Sequence, residues 1–213
     1  MIIDAADVLI ILFGFTLFAF LHTYLASNKL KKFLAERYGS SVAFYRLVYN
    51  LISIITFYFL YETVPHPILI IYDLPYPFDF IVLIPQFLSL SGIIWTLKYF
   101  DAKEFLGINQ IFRWFNKEYD SKELDEKLTL NVRGPYKICR HPIYLFSILF
   151  LIFRAEMDLS YLTFLIAIIV YFYIGSFYEE KKLLEKFGDE YLNYQKTVPR
   201  IIPFAFPNSK SGS

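Results

Sequence analysis

The chain has one cysteine, Cys139, among its 213 residues, so no internal disulfide and no cysteine metal cluster can form. Its three histidines, His22, His66 and His141, stand far apart, which leaves a histidine-based metal site without support. Glycine is sparse. The eight residues are scattered, and neither a Walker loop nor a GxGxxG fingerprint occurs. Charge of one sign is missing too. Lys and Arg number 21 against 20 Asp and Glu, a balance of +1, without the basic excess a nucleic-acid binder needs. No internal repeat is present. The start, MIIDAAD, is acidic where a signal peptide is basic and has no small-residue cleavage site, so a cleaved leader is not expected.

What is present is apolar. Hydrophobic residues make up 56% of the chain and aromatics 21%. Mean hydropathy is +0.43. Soluble domains average roughly 45–50% apolar residues, so the composition predicts an integral, multi-pass membrane protein in contact with lipid. A spanning helix needs about 20 apolar residues. Candidates run over 8–26, 43–61, 78–99 (with Pro85 as an expected kink), 143–153 extended back to 138, and 160–178. The 24 Phe and 18 Tyr read mainly as lipid-facing packing and interfacial belts. PHP at 65–67 and PYP at 75–77 predict an irregular loop.

Basic residues alternate between the loops. Lys29, Lys31, Lys32 and Arg37 follow the first candidate, none occurs over 62–77, and many follow the third and fifth. The positive-inside rule then predicts an all-α membrane protein of about five transmembrane helices. Its N-terminus would lie outside and its C-terminus in the cytoplasm, ending in a cytoplasmic helical segment. The expected organisation is a three-helix membrane region over 1–99, a connector with the last two spans and C-terminal segment over 100–205, and a disordered tail over 206–213.

Two clusters share the predicted cytoplasmic face. GPYKICRHPIYL, 134–145, brings Arg140, His141 and Pro142 to the start of an apolar run. Pro142 suits a first helical turn, where its missing N–H costs nothing, and the free N–H groups of that turn can bind a polar ligand. An interfacial anchor of Arg, His and Tyr explains the same residues equally well. The second cluster is YEEKKLLEKFGDEYLNYQKTVPRIIP, 178–203. Gly188 is expected to break one helix and Asp189 to cap the next, with Tyr191 and Tyr194 on one face. Much of it fits a surface amphipathic helix. Glu179 fits less well, because a carboxylate at the end of an apolar span usually has a partner or a task.

Joined in this order, the two clusters resemble the integral-membrane methyltransferase superfamily. That group includes isoprenylcysteine carboxyl methyltransferases, phospholipid methyltransferases and methanethiol S-methyltransferases. The likeness covers 128–203. HTYLASNKLKKFL, YRLVYNLISIITF and DAKEFLGINQ resemble the thiol methyltransferase branch more loosely. The resemblance implies a cytoplasmic-face site for S-adenosylmethionine, closed by the last two spans and the C-terminal helix. It would be lined by Leu128, Thr129, Leu130, Asn131, Tyr136, His141, Pro142, Ile143, Tyr144 and Glu179. The residue chemistry adds Arg140 for the cofactor carboxylate and tyrosine faces for adenine or sulfonium.

Methyl transfer needs alignment and dryness more than covalent help. No dedicated nucleophile is expected, and Cys139 shows no sign of activation. Prenylcysteine methyltransferases carry an arginine one turn before the carboxylate pair. Here that position is Gly175, which favours a smaller or neutral methyl acceptor, with Arg200 or Arg154 as possible substitutes. The acceptor is thus a small thiol or a lipid-like molecule, and neither metal nor nucleic acid is expected. Two rivals stand beside this reading: an NADPH-dependent enzyme like the sterol reductases, and a non-catalytic accessory protein of the same fold.

Overall fold

The computed structural model describes residues 5–66, 69–120, 124 and 129–203. The expected disordered tail and Leu128 lie outside the described residues. Ten α-helices are described: α1 Ala5–Ala26, α2 Asn28–Tyr38, α3 Tyr45–Thr63, α4 Phe78–Ile81, α5 Leu83–Leu97, α6 Ala102–Leu106, α7 Ile108–Phe115, α8 Pro142–Ile152, α9 Leu159–Phe187 and α10 Asp189–Thr197. Short 3-10 turns cover Gly39–Phe44 and Gly134–Lys137. The chain divides into two compact units. One is Met1–His66 with Asp101–Leu128, the other Pro67–Phe100 with Thr129–Ser213.

Among the described residues, four helical stretches are long and apolar enough to cross a membrane: Ala5–Ala26, Asn28–Thr63, Phe78–Leu97 and Leu159–Phe187. The fifth apolar helix, α8, has 11 residues. At 1.5 Å per residue that is about 16 Å, against about 30 Å of hydrocarbon. On the outer faces of α1 and α3 stand Phe13, Phe20, Ile54 and Phe59, each more than half exposed. In water such surfaces would be untenable; for membrane helices they are expected.

In the first unit, α1 and α3 are joined by a closed chain of hydrogen bonds. The Tyr49 hydroxyl lies 2.6 Å from Nε2 of His22, and Nδ1 of His22 lies 2.9 Å from Oγ of Ser53. Ser53 donates to the Tyr49 carbonyl at 2.8 Å. With the Nδ1–H tautomer every polar atom in this loop is used, which is what an apolar setting demands. Further on, Arg113 grips Glu104 with two bonds of 2.9 Å, and Gln110 adds a third at 3.1 Å.

In the second unit, the expected helix over 78–99 breaks at Val82, between α4 and α5. Pro85 explains the place: it lacks an N–H for the carbonyl four residues earlier, and its ring crowds that carbonyl. The loop expected to be irregular instead contributes a strand, Ile70–Asp73, paired antiparallel with Glu156–Asp158. Asp158 then caps α9 by accepting from Tyr161 N at 2.8 Å. Arg154 lies over the Tyr161 ring at 3.9 Å. Helix α9 continues unbroken beyond its apolar stretch to Phe187. At Gly188, φ is +52° and the N–H closes on Leu184 O at 2.9 Å. Asp189 begins α10 and makes no side-chain cap.

Candidate functional site

The candidate site lies in the second unit, where the start of α8 meets the polar end of α9. Its approach is fixed by Gly134. There φ is +57°, and a Cβ would come within 2.5 Å of the Tyr99 ring, so only glycine fits. Asn131 ties the same approach to the end of α5, donating to Tyr99 O at 2.6 Å and accepting from Arg133 N at 3.2 Å. Pro135 is fully buried, and the turn Gly134–Lys137 delivers Tyr136 to the site. Pro142 occupies the first position of α8, with His141 as the residue before it.

His141 is gripped from both sides. Its Nδ1 lies 3.2 Å from Glu179 Oε2 and its Nε2 lies 3.2 Å from Glu180 Oε1. Ionised carboxylate oxygens only accept, so a protonated His141 would donate to both at once. Burial alone would lower its pKa. Hydrogen bonds and charge from Glu179 and Glu180 outweigh that and raise it above the ordinary 6.5.

Glu180 is the anchor of the assembly. It is 4% exposed and accepts four donors. Arg140 Nε at 2.8 Å and His141 Nε2 approach one oxygen; Gln195 Nε2 and Arg200 Nη2, both at 3.0 Å, approach the other. Arg140 also sends Nη1 to the carbonyls of Gln195 (3.1 Å) and Val198 (2.6 Å). The backbone N–H groups of Arg140 and His141 donate to Pro199 O and Arg200 O. At the helix start the N–H of His141 is therefore committed to the segment after α10. Buried charge is tolerable only when paired and hydrogen-bonded, and this network meets that condition. It pins residues 195–200 against α8 and α9.

Glu179 has the opposite environment. One helix position away, its side chain is 53% exposed. Besides His141, it accepts from the Tyr144 hydroxyl. The Tyr144 ring is stacked parallel to His141 at 5.2 Å and to Phe172 at 4.5 Å. Three flat rings thus back one accessible carboxylate. Gly175, one turn before Glu179, leaves room: a Cβ there would have Tyr144 Oη, 3.9 Å away, as its nearest neighbour.

The surroundings suppress other ionisations. Burial, reinforced by Glu179 and Cys139, pushes the Tyr136 phenol up to about 12. Burial likewise raises the Cys139 thiol to about 12 against the opposing effects of the His141 backbone and Arg140. Cys139 is fully buried. Tyr194 donates to the Tyr136 carbonyl. Among the described residues no group of three or more His, Cys, Asp or Glu could hold a metal ion.

The structure therefore unites Tyr136, Arg140, His141, Tyr144, Glu179 and Arg200. Pro142 and Ile143 form the helix start beside them. Thr129 is exposed and Leu130 half-buried, and neither Thr129 nor Asn131 bonds to the Glu179–His141 group. Glu180, Gln195 and Phe172 complete the site without having been singled out as site residues. The residue order carried no signal that separates Glu180 from Glu179; the inward face of α9 is marked by the burial of Ser176, one turn before Glu180.

A methanethiol S-methyltransferase of Pseudomonas deceptionensis is 41% identical over 68 residues, 32% of this chain and 26% of that protein. Methanethiol S-methyltransferase 1 of Bradyrhizobium diazoefficiens is 38% identical over 69 residues, again 32% of this chain and 24% of that protein. This chain resembles the methanethiol S-methyltransferases. The resemblance extends furthest in a Crocosphaera subtropica methanethiol S-methyltransferase, 28% identical over 127 residues, 55% of this chain and 46% of that protein. The chain thus spans about a quarter of the first two of these S-methyltransferases and under half of the third. The superfamily resemblance drawn from the motifs and these relatives agree. No family model and no solved structure matches the chain.

Proposed function

We propose that this chain is a membrane-embedded, S-adenosylmethionine-dependent methyltransferase acting on a small thiol or lipid-like acceptor. The observation that carries the reading is the half-exposed Glu179 carboxylate, braced by His141 and Tyr144 against three parallel rings, in a chain similar to methanethiol S-methyltransferases. The donor set fits the methyl donor. A carboxylate suits its ammonium or ribose hydroxyls, and aromatic faces suit its adenine or its sulfonium. When bound, that cofactor supplies an electrophilic methyl group.

The chain's own residues hold and align. Glu179 offers the accessible negative charge, and His141 and Tyr144 fix its rotamer. Thr129, Leu130 and Asn131 belong to the approach, with Leu128 ahead of them; Tyr136, Pro142 and Ile143 form the wall. Arg140, whose donors go to Glu180 and to backbone carbonyls, supports the site from behind. Arg200 packs on the Phe177 ring at 3.7 Å beside Glu180 and stays the candidate for contacting an acceptor. Space at Gly175 and the names of the relatives favour a small thiol. The alternating loop charges support an N-terminus outside and a site facing the cytoplasm, with α8 as a short fifth membrane helix.

The test is calorimetric titration of the detergent-solubilised full chain with S-adenosylmethionine, S-adenosylhomocysteine and NADPH. The first two should bind, and Glu179→Gln and His141→Ala should each weaken binding by about tenfold or more, roughly 1.4 kcal/mol. Binding of NADPH alone would establish the reductase reading instead, and unchanged affinity in both variants would remove the site assignment.

A further inference from the structure

Helices α6 and α7 are polar on the inside and apolar on the outside. Glu104 and Gln110 are each 4% exposed and, with Arg113, close on one another. Phe105, Leu106, Phe112 and Phe115 point outward, at 44%, 39%, 61% and 67% exposed. A water-facing helix has the reverse arrangement. The corner is built to hold it. Gly107 has φ +89°, and a Cβ there would come within 2.7 Å of Leu47 N, so the turn lies directly on α3. Arg46 Nε and Asn50 Nδ2, both on α3, donate to Phe105 O at 2.7 and 3.1 Å.

We propose that α6–α7 is an interfacial anchor whose aromatic face inserts among the headgroups and upper acyl chains of the bilayer that α3 spans. Three observations select lipid as the occupant. First, the face continues from α3, whose Val48, Leu51, Ile55 and Phe59 are themselves exposed apolar side chains of a span-length stretch. Second, it is rich in rings, and Trp114 keeps its N–H satisfied on Ser40 Oγ at 3.2 Å, the amphipathic habit of interfacial belts. Third, Lys103 and Lys117 flank it, both exposed, and suit anionic headgroups. A segment that the sequence presents as part of a polar cytoplasmic connector is thereby part of the membrane-bound body, whatever the chain methylates.

The experiment places tryptophan reporters in the full chain, with Trp95→Phe and Trp114→Phe removing the native signals. Phe112→Trp and Phe115→Trp report the anchor, and Phe59→Trp on α3 serves as the lipid reference. Each is reconstituted in vesicles of phosphatidylcholine with phosphatidylglycerol, carrying bromine at shallow acyl positions. The anchor reporters should be blue-shifted and quenched by bromolipid to an extent comparable with the reference. They should resist aqueous acrylamide, and their quenching should weaken when phosphatidylglycerol is omitted. Strong acrylamide quenching without bromolipid quenching would overturn the proposal. So would protection from both quenchers that disappears on dilution into excess lipid, since that outcome places a second protein copy on the face.

Discussion

Each unit of this chain buries a glutamate against arginine, and the two arrangements differ instructively. In the first unit Glu104 meets Arg113 nine residues away through a two-pronged contact, with Gln110 beside it. These contacts fasten α6 to α7. In the second unit Glu180 draws on Arg140, His141, Gln195 and Arg200, partners 40, 39, 15 and 20 residues distant. Beside it stands a second carboxylate, Glu179, that remains accessible. A local cluster builds a clasp. A many-to-one, long-range cluster with an uncovered neighbour builds a floor on which an exposed group can be held still.

The sharpest way to break the comparison is to remove each glutamate. Glu180→Ala leaves two arginines and His141 without their common partner. Removing one side of a buried ion pair costs about 3–5 kcal/mol, so this variant should show the largest fall in thermal midpoint in detergent. It should also free residues 195–200 to protease and abolish binding of S-adenosylmethionine. Glu179→Gln, one position away, should leave the midpoint almost unchanged while weakening the same ligand. If both variants lower stability equally, the division of labour between the two carboxylates is wrong.

Glu104→Ala should do less. Its partner Arg113 is already 19% exposed and can turn to water. Loss of the charge-assisted bonds should cost about 1.5–3 kcal/mol, and the damage should stay local. Hydrogen exchange is the appropriate readout. Amides of α6 and α7 should open faster, while those of α8 to α10 keep their protection.

Much of this was legible in the residue order. The apolar runs, the helix start at Pro142 and the break at Gly188 follow from periodicity and from proline and glycine chemistry, while the convergence of the segments near residues 140 and 180 was implied by the family resemblance. What was not legible depends on rotation about a helix axis. Glu179 and Glu180 are adjacent and chemically alike, and which one faces inward is decided by the 100° between them and by what α8 and residues 195–200 present. Arg140 looked like a ligand group because a guanidinium suits a carboxylate; it is instead committed to Glu180 and to the carbonyls of Gln195 and Val198. Likewise α6–α7 reads as a polar connector until the charges are seen to cancel inward. The short sheet of 70–73 with 156–158 pairs segments too far apart for local patterning to join.

The smallest expected effect concerns protons. His141 has a raised pKa in the folded chain because two carboxylates flank it, despite its burial. A group whose folded pKa exceeds its unfolded value stabilises fully below the unfolded value and loses that contribution as pH rises through the folded one. Stability should therefore decline as pH climbs from about 6.5, the ordinary imidazole value, with a slope no steeper than about 1.4 kcal/mol per pH unit for one proton. Tyr136 and Cys139, both pushed up to about 12, titrate far above this window and do not contribute to it. Thermal midpoints across pH 5.5–9 should show the decline in the native chain and a flatter profile in His141→Gln. The variant donates through one amide group, carries no titrating proton, and leaves Glu180 its arginines. A profile as steep in the variant as in the native chain would place the titrating group elsewhere and leave His141 neutral, with only one of its two carboxylate bonds.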